Sequence, residues 1–235
     1  MAIIGATDFY IGVPSLPRSQ FKDYSTHLFD QWENHVEQNL RLSDYSLSLD
    51  VEEGSIKAVG KIATALGVLY LGIGQYGSFI SGLQTISSQV RSVSDYFGDC
   101  AGAPFKGSNA KCKIRKRGES LARLQNLFVK VQRGELSVVD AMIESEKIFG
   151  AELDSVQAFK NELRSSLEKA PMFPKQLELL LVDESGELLL EMAETKKQQN
   201  PLPKQPSPHP PQELYRVEIW RDRKQGQRNI RVVNL

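Results

Sequence analysis

The chain has 235 residues, 40% of them hydrophobic and 25% charged, enough to bury a real core as one moderate domain or two small ones. Its 29 basic and 29 acidic side chains cancel, so overall charge singles out neither a nucleic acid nor an anionic surface as partner. The distribution is uneven. Residues 1–105 hold 6 basic and 11 acidic side chains, 106–133 hold 9 and 1, 134–195 hold 5 and 14, and 196–235 hold 9 and 3. Blocks of alternating sign favour internal or head-to-tail pairing over one charged partner.

The N-terminus does not read as a secretory signal, because its first basic residue is Arg18 and the apolar stretch at Ile3–Ile4 is cut by Asp8. A first helix is expected from about Phe21 to Leu40, with Phe21, Leu28, Trp32, Val36 and Leu40 on one face. His27 and His35 lie on that helix without a carboxylate or cysteine placed to complete a metal site, so they read as surface histidines. From Tyr45 the period falls to two. Leu47, Leu49 and Val51 alternate with polar residues, Glu52-Glu53-Gly54-Ser55 forms a turn, and Ile56 and Ala58 return, which predicts a hairpin. Glu52 and Glu53 are adjacent in a turn and point apart, so they are not a catalytic pair.

Ile62 to Val90 is a run of 29 residues without a charge. Its first part is apolar on all sides. In its second part and just beyond, Tyr76, Phe79, Leu83, Ile86, Val90, Val93 and Phe97 recur at helical spacing, which predicts one long helix over about 63–97. Residues 62–83 have the length of a membrane span, while the same composition suits a core helix wrapped by protein. Gly67, Gly74 and Gly82 form a small-residue seam for close helix packing, and Leu71, Tyr76, Phe79 and Leu83 complete the candidate membrane or helix-packing set. The run also contains Gly72-Ile-Gly74-Gln-Tyr-Gly77, with Asp95 about twenty residues on. A dinucleotide fold needs that motif to open a strand–helix–strand unit, and no such alternation follows.

Residues 98–118 read as a loop rich in glycine, holding Cys100, Cys112 and the basic cluster Lys106, Lys111, Lys113, Arg115, Lys116 and Arg117. A disulfide there would close a short loop, whereas two cysteines without a leader read better as free thiols. The basic cluster lacks interleaved aromatics, so no nucleic acid is expected. It suits the flank of a membrane segment, or a solvated loop paired with the later acidic block. Three helices are expected over 119–170, with stripes Leu121, Leu124, Phe128 and Val131, then Val139, Met142, Ile143 and Phe149 after a Ser137 cap, then Val156, Phe159, Leu163 and Leu167. A hairpin is expected over 176–192, followed by a linker over 196–211 with six prolines between Pro201 and Pro211.

Beyond the linker, Tyr215, Val217 and Ile219 alternate with Arg216, Glu218 and Trp220, and Asn229 to Val233 returns. This basic hairpin is too short to stand alone, so it must dock on a sheet edge of its own chain or a neighbour. Tyr215, Val217, Ile219, Trp220, Arg221 and Arg231 are its candidate partner-binding residues. The expected architecture is α+β, organised as 1–97, 98–118, 119–195, 196–211 and 212–235. No nucleophile elbow, phosphate loop with its lysine, or paired histidine base is present, so neither an enzyme nor a metal or cofactor site is expected. The expected function is a non-enzymatic, membrane-associated interaction protein that self-associates through the Gly/Ser-rich helix, membrane-associated or cytoplasmic, including insertion on a trigger. The alternative is a soluble assembly protein in which that helix is core and the C-terminal hairpin mediates oligomerisation.

Overall fold

The computed structural model describes residues 1–14, 16–105, 112–171 and 214–235. Residues 1–172 and 213–235 form one compact unit. The hairpin expected over 176–192 and the linker over 196–211 lie outside the described residues. The architecture is α+β: a six-stranded antiparallel sheet with helices layered against it.

The sheet runs β4-β1-β3-β2-β5-β6. Its centre is the expected hairpin, β2 (Ser46–Glu52) and β3 (Ile56–Thr64), joined by a turn in which Gly54 takes φ +101°. That left-handed value is strained for any residue with a Cβ. Leu47, Leu49, Val51, Ile56, Ala58 and Ile62 are buried, so one face of the hairpin is core while the other presents Ser48, Asp50, Lys57 and Lys61. β1 (Ala2–Ile11) pairs with β3 on one side and β4 (Cys112–Arg117) on the other. Neither strand was foreseen. Of the loop expected over 98–118, residues 98–102 belong to the last helical turns of the long helix and 112–117 form an edge strand, exposed throughout.

The C-terminal hairpin, β5 (Tyr215–Arg221) and β6 (Asn229–Asn234), docks on the β2 edge of its own chain, with Leu49 opposite Ile219 and Val51 opposite Val217. α1 (Arg18–Asn39) and α3 (Phe79–Gly102) cover the inner face. Trp32 of α1 and Phe97 of α3 meet edge to face at 5.2 Å. Both rings lie over Gly60 of β3, where an added Cβ would stand 3.1 Å from Phe97 and 3.2 Å from Trp32. A larger residue there would lift the aromatic layer off the sheet.

The single helix expected over 63–97 is divided. Ile62 to Thr64 end β3, where Ala63 faces both Ile3 and Ser46. α2 (Leu66–Gly74) follows, then a turn with Gly77 at φ +80°, and α3 starts at Phe79. Ser78 caps α3 by accepting the Ser81 N–H at 3.2 Å, which satisfies one of the first-turn donors. Phe79, Leu83, Ile86, Val90, Val93 and Phe97 of the expected stripe are all buried in α3; Tyr76 sits in the turn. Among the described residues no helix is long and apolar enough to cross a membrane. The glycine motif at 72–77 spans the end of α2 and this turn, so it closes a helix instead of joining a strand to the start of one.

α4 (Glu119–Gln132), α5 (Val138–Phe149), the single turn α6 (Glu152–Ser155) and α7 (Gln157–Glu168) close the remaining end. Phe79, Phe128, Phe149 and Phe159 form an aromatic cluster there, Phe159 lying 5.4 Å from Phe79 and 5.5 Å from Phe149. Ser137 caps α5 as expected, its hydroxyl accepting the Asp140 N–H. The buried face of α5 is Ala141, Met142, Ser145 and Phe149. Val139 and Ile143, expected in the stripe, are exposed.

Candidate interaction surfaces

The glycines expected to form one seam divide by environment. Gly82 meets the backbone of α2: an added Cβ would lie 2.2 Å from the Ile73 carbonyl oxygen. Gly72, named for the dinucleotide motif rather than for the seam, packs on Leu42, whose Cδ2 would lie 2.5 Å from an added Cβ. Gly67 and Gly74 instead share the outer face of α2 with Leu71, which is 65% exposed, and nothing lies within 4 Å of a Cβ added at Gly74. Phe79 and Leu83 belong to the core. Tyr76 is half-buried and accepts a hydrogen bond from Gln89 Nε2 at 3.0 Å.

In the C-terminal hairpin, Val217 and Ile219 point into the core, and the Tyr215 ring meets Phe21 at 5.9 Å. Arg221 also faces inward and is 7% exposed. Its Nη1 donates to Glu33 at 3.0 Å and Glu37 at 2.9 Å, both on α1, and its guanidinium lies 5.9 Å from the centre of the Tyr45 ring. Burial pushes the Tyr45 hydroxyl up to about 12. Burial also raises the Glu33 carboxyl, with Arg221 opposing the shift. These four residues are therefore engaged within their own chain. Trp220 and Arg231 stand on the opposite face of the sheet, Trp220 across from Ser48 and Arg231 across from Glu218.

That outer face carries a lattice of cross-strand ion pairs. Arg117 binds Asp8 at 2.9 Å, Lys61 binds Asp50 at 3.6 Å, Lys57 binds Glu52 at 3.6 Å, and Arg216 reaches Glu52. Exposed pairs of this kind contribute about 0–1 kcal/mol each. Cys100 and Cys112 are free thiols. His27 is exposed, whereas His35 is half-buried and stacks on Tyr96 with ring centres 3.8 Å apart; burial lowers its pKa.

Two strands end the sheet, and they differ in chemistry. β4 presents Lys113, Arg115, Lys116 and Arg117, the charged residues that guard an edge against further pairing. β6 reads Asn-Ile-Arg-Val-Val-Asn with one charge. The Leu235 N–H donates to the Leu214 carbonyl at 2.7 Å, so by alternation Arg231 and Val233 turn their backbone groups to β5. Ile230, Val232 and Asn234 turn theirs outward, and among the described residues no strand meets them. Sequence reasoning singled out the hairpin but not this edge, although the β-branched run Ile230, Val232, Val233 marks it. Comparison with protein-family models, with curated proteins and with solved structures finds no match to this chain.

Proposed function

We propose that the protein is a non-enzymatic assembly protein whose subunits join through the open edge of β6. The observation that supports this reading is the contrast between the two sheet edges: β4 is guarded by four basic residues, β6 by one. An unguarded row of backbone donors and acceptors is a template for another strand. The simplest partner is a second copy related by a two-fold axis, which makes the contact self-complementary. With Val232 on the axis, Ile230 faces the partner's Asn234 and Arg231 faces the partner's Val233. Moving the axis to Arg231 would place like charges opposite one another, which is unfavourable. The C-terminal hairpin thus serves assembly by its outer strand, while its inner strand is held in its own sheet.

Sedimentation equilibrium of the full chain tests this. The expected mass is twice 26.3 kDa. Ile230→Pro removes an outward N–H, so the subunit itself loses no ladder hydrogen bond, and the variant is expected at the single-chain mass with its thermal unfolding little changed. A wild-type chain of single mass, or a dimer indifferent to Ile230→Pro, overturns the reading.

A second reading rests on a different observation: the outer face of α2, with Leu71, Gly67 and Gly74, belongs to a stretch without charge. Such a face suits peripheral contact with a lipid surface. Flotation with neutral-lipid vesicles, lost in Leu71→Glu, supports it; a chain that stays at the bottom of the gradient ends it.

A further inference from the structure

On the helix-covered side, α3, α4 and the β1–β4 end of the sheet enclose a cleft of about 500 Å³, the size that takes small organic ligands. One wall is a polar stripe of α3 with Ser87, Arg91 and Ser94 at helical spacing, and the opposite wall is α4 from Gly118 to Gln125. Ile4, Val90 and Leu121 form an apolar floor.

The polar groups are left in an unusual state. Ser94 is only 5% exposed, lines the cleft, and receives no hydrogen bond among the described residues. Ser87 Oγ, one turn before Arg91, is sealed from water and also lacks a partner. Ser87 Oγ is therefore closed to a ligand in the cleft, whereas the Ser94 hydroxyl lines the cleft with its proton uncommitted and can donate to an acceptor there. The cations divide sharply. Lys116 is held by Asp95, and Arg117 is held by Asp8 at 2.9 Å and Glu119 at 3.2 Å. Arg91 lines the same cleft and has no ionic partner among the described residues.

The start of α4 adds backbone donors. It has no side-chain cap, and its first internal bond is Ala122 N–H to Gly118. Gly118 at φ −78°, ψ 0° is followed by Glu119 at φ +41°. Successive residues of opposite hand are the backbone pattern of an anion-binding nest, and Gly118 lines the cleft.

We propose that this cleft binds a small organic phosphate monoester. Arg91, Ser94 and the N–H groups at the start of α4 hold the phosphoryl oxygens, and the organic body lies on Ile4, Val90 and Leu121. A phosphoryl group suits the site better than a carboxylate, because donors converge from two walls rather than in one plane. One unpaired cation selects a monophosphate over a polyphosphate, since the charges of Lys116 and Arg117 are already met.

Calorimetric titration of the full chain with phenyl phosphate tests the proposal, with benzoate and inorganic phosphate as comparison probes at fixed ionic strength. One phenyl phosphate per chain is expected, with both comparison probes bound about tenfold more weakly or worse. Arg91 is exposed, so Arg91→Gln keeps the fold, and about a tenfold loss of affinity is expected from the lost charge-assisted bonds. Ser94→Ala is expected to weaken binding several-fold while leaving the melting temperature of the free chain unchanged or raised, because its hydroxyl has no partner to lose. No binding of phenyl phosphate overturns the proposal. So does equal affinity in both variants, or a site that takes benzoate or inorganic phosphate as well as the monoester.

Discussion

Gly82→Ala and Gly74→Ala form a pair that separates packing glycines from open ones. Both replace a helical glycine, and helix propensity alone favours alanine by up to about 1 kcal/mol. At Gly82 the new Cβ would stand 2.2 Å from the Ile73 carbonyl oxygen and 2.8 Å from its carbonyl carbon and Cα. Carbon and oxygen normally approach no closer than about 3.3 Å, so α2 must retreat by about 1 Å. The obstacle is backbone, which cannot rotate aside. The retreat loosens Leu66, Leu69 and Ile73, all buried, and overpacking of this kind costs about 1–3 kcal/mol. Taken at the upper end and offset by propensity, the net loss is about 2 kcal/mol. For a chain of this size that lowers the midpoint of thermal unfolding by about 4–8 °C. At Gly74 nothing lies within 4 Å of the added Cβ, so its alanine variant is expected to melt at or slightly above the wild type. Circular dichroism melts of the three proteins decide it. A Gly82→Ala variant that melts no lower than wild type refutes the close approach of α2 and α3. An equal penalty at Gly74 means that its face is covered in solution.

Arg221→Met keeps the side-chain volume but leaves Glu33 and Glu37 facing an apolar group. Removing one member of a buried pair costs about 3–5 kcal/mol, discounted here to about 2 because the glutamates keep 18% and 41% exposure. Burial already raises the Glu33 pKa in the folded chain, and loss of Arg221 raises it further. A carboxyl raised by folding favours the folded state at low pH and loses that contribution as pH rises through its folded pKa. The urea-midpoint deficit of the variant should therefore be larger at neutral pH than in mild acid; a deficit independent of pH sinks this account. His35 runs the opposite way. Its pKa lies below the ordinary 6.5 because burial disfavours the charged form, so its contribution is present above 6.5 and fades as pH falls through the folded value. His35→Phe preserves stacking on Tyr96 and is expected to flatten the stability profile below pH 6.5; an unchanged slope shows that another group carries it.

What was legible in the sequence is what keeps one period over a whole element. The stripe Phe21–Val36 became α1, the alternation at Leu47–Val51 became β2, and of the seven stripe residues from Tyr76 to Phe97 all but Tyr76 became α3. β1 was hidden for a physical reason. It lies between two strands, and Gly5, Ala6, Thr7, Phe9 and Ile11 are all buried, so little polar alternation survives to mark it. β4 was hidden by the opposite cause, since an edge strand guarded by charge has the composition of a basic loop. The uncharged run misled because hydropathy is blind to conformation: a strand end, a short helix, a turn and a helix start share one composition. Only Gly77 and the capping Ser78 mark the break. The roles of the glycines were not legible at all, because they depend on what each one faces across a packing contact.

The charge blocks give the last element of the argument. Basic residues of the C-terminal hairpin meet acids of the first hundred residues: Arg216 with Glu52, Arg228 with Asp30, and Arg221 with Glu33 and Glu37. The basic segment ending in Arg117 likewise meets Asp8 and Asp95, and among the described residues no ion pair joins it to the acids of 134–195. Most of these pairs are too exposed to add much stability, but Arg221 does more than pair. A slip of β5 by one residue against β2 turns every side chain to the other face. Arg221 would then leave the α1 acids, Trp220 would enter the space above Leu47, and Val217 and Ile219 would move to the charged face. The apolar pair makes docking favourable, and Arg221 fixes its register. Only with that register held is the β6 edge presented in one fixed alternation, with the backbone groups of Ile230, Val232 and Asn234 turned outward.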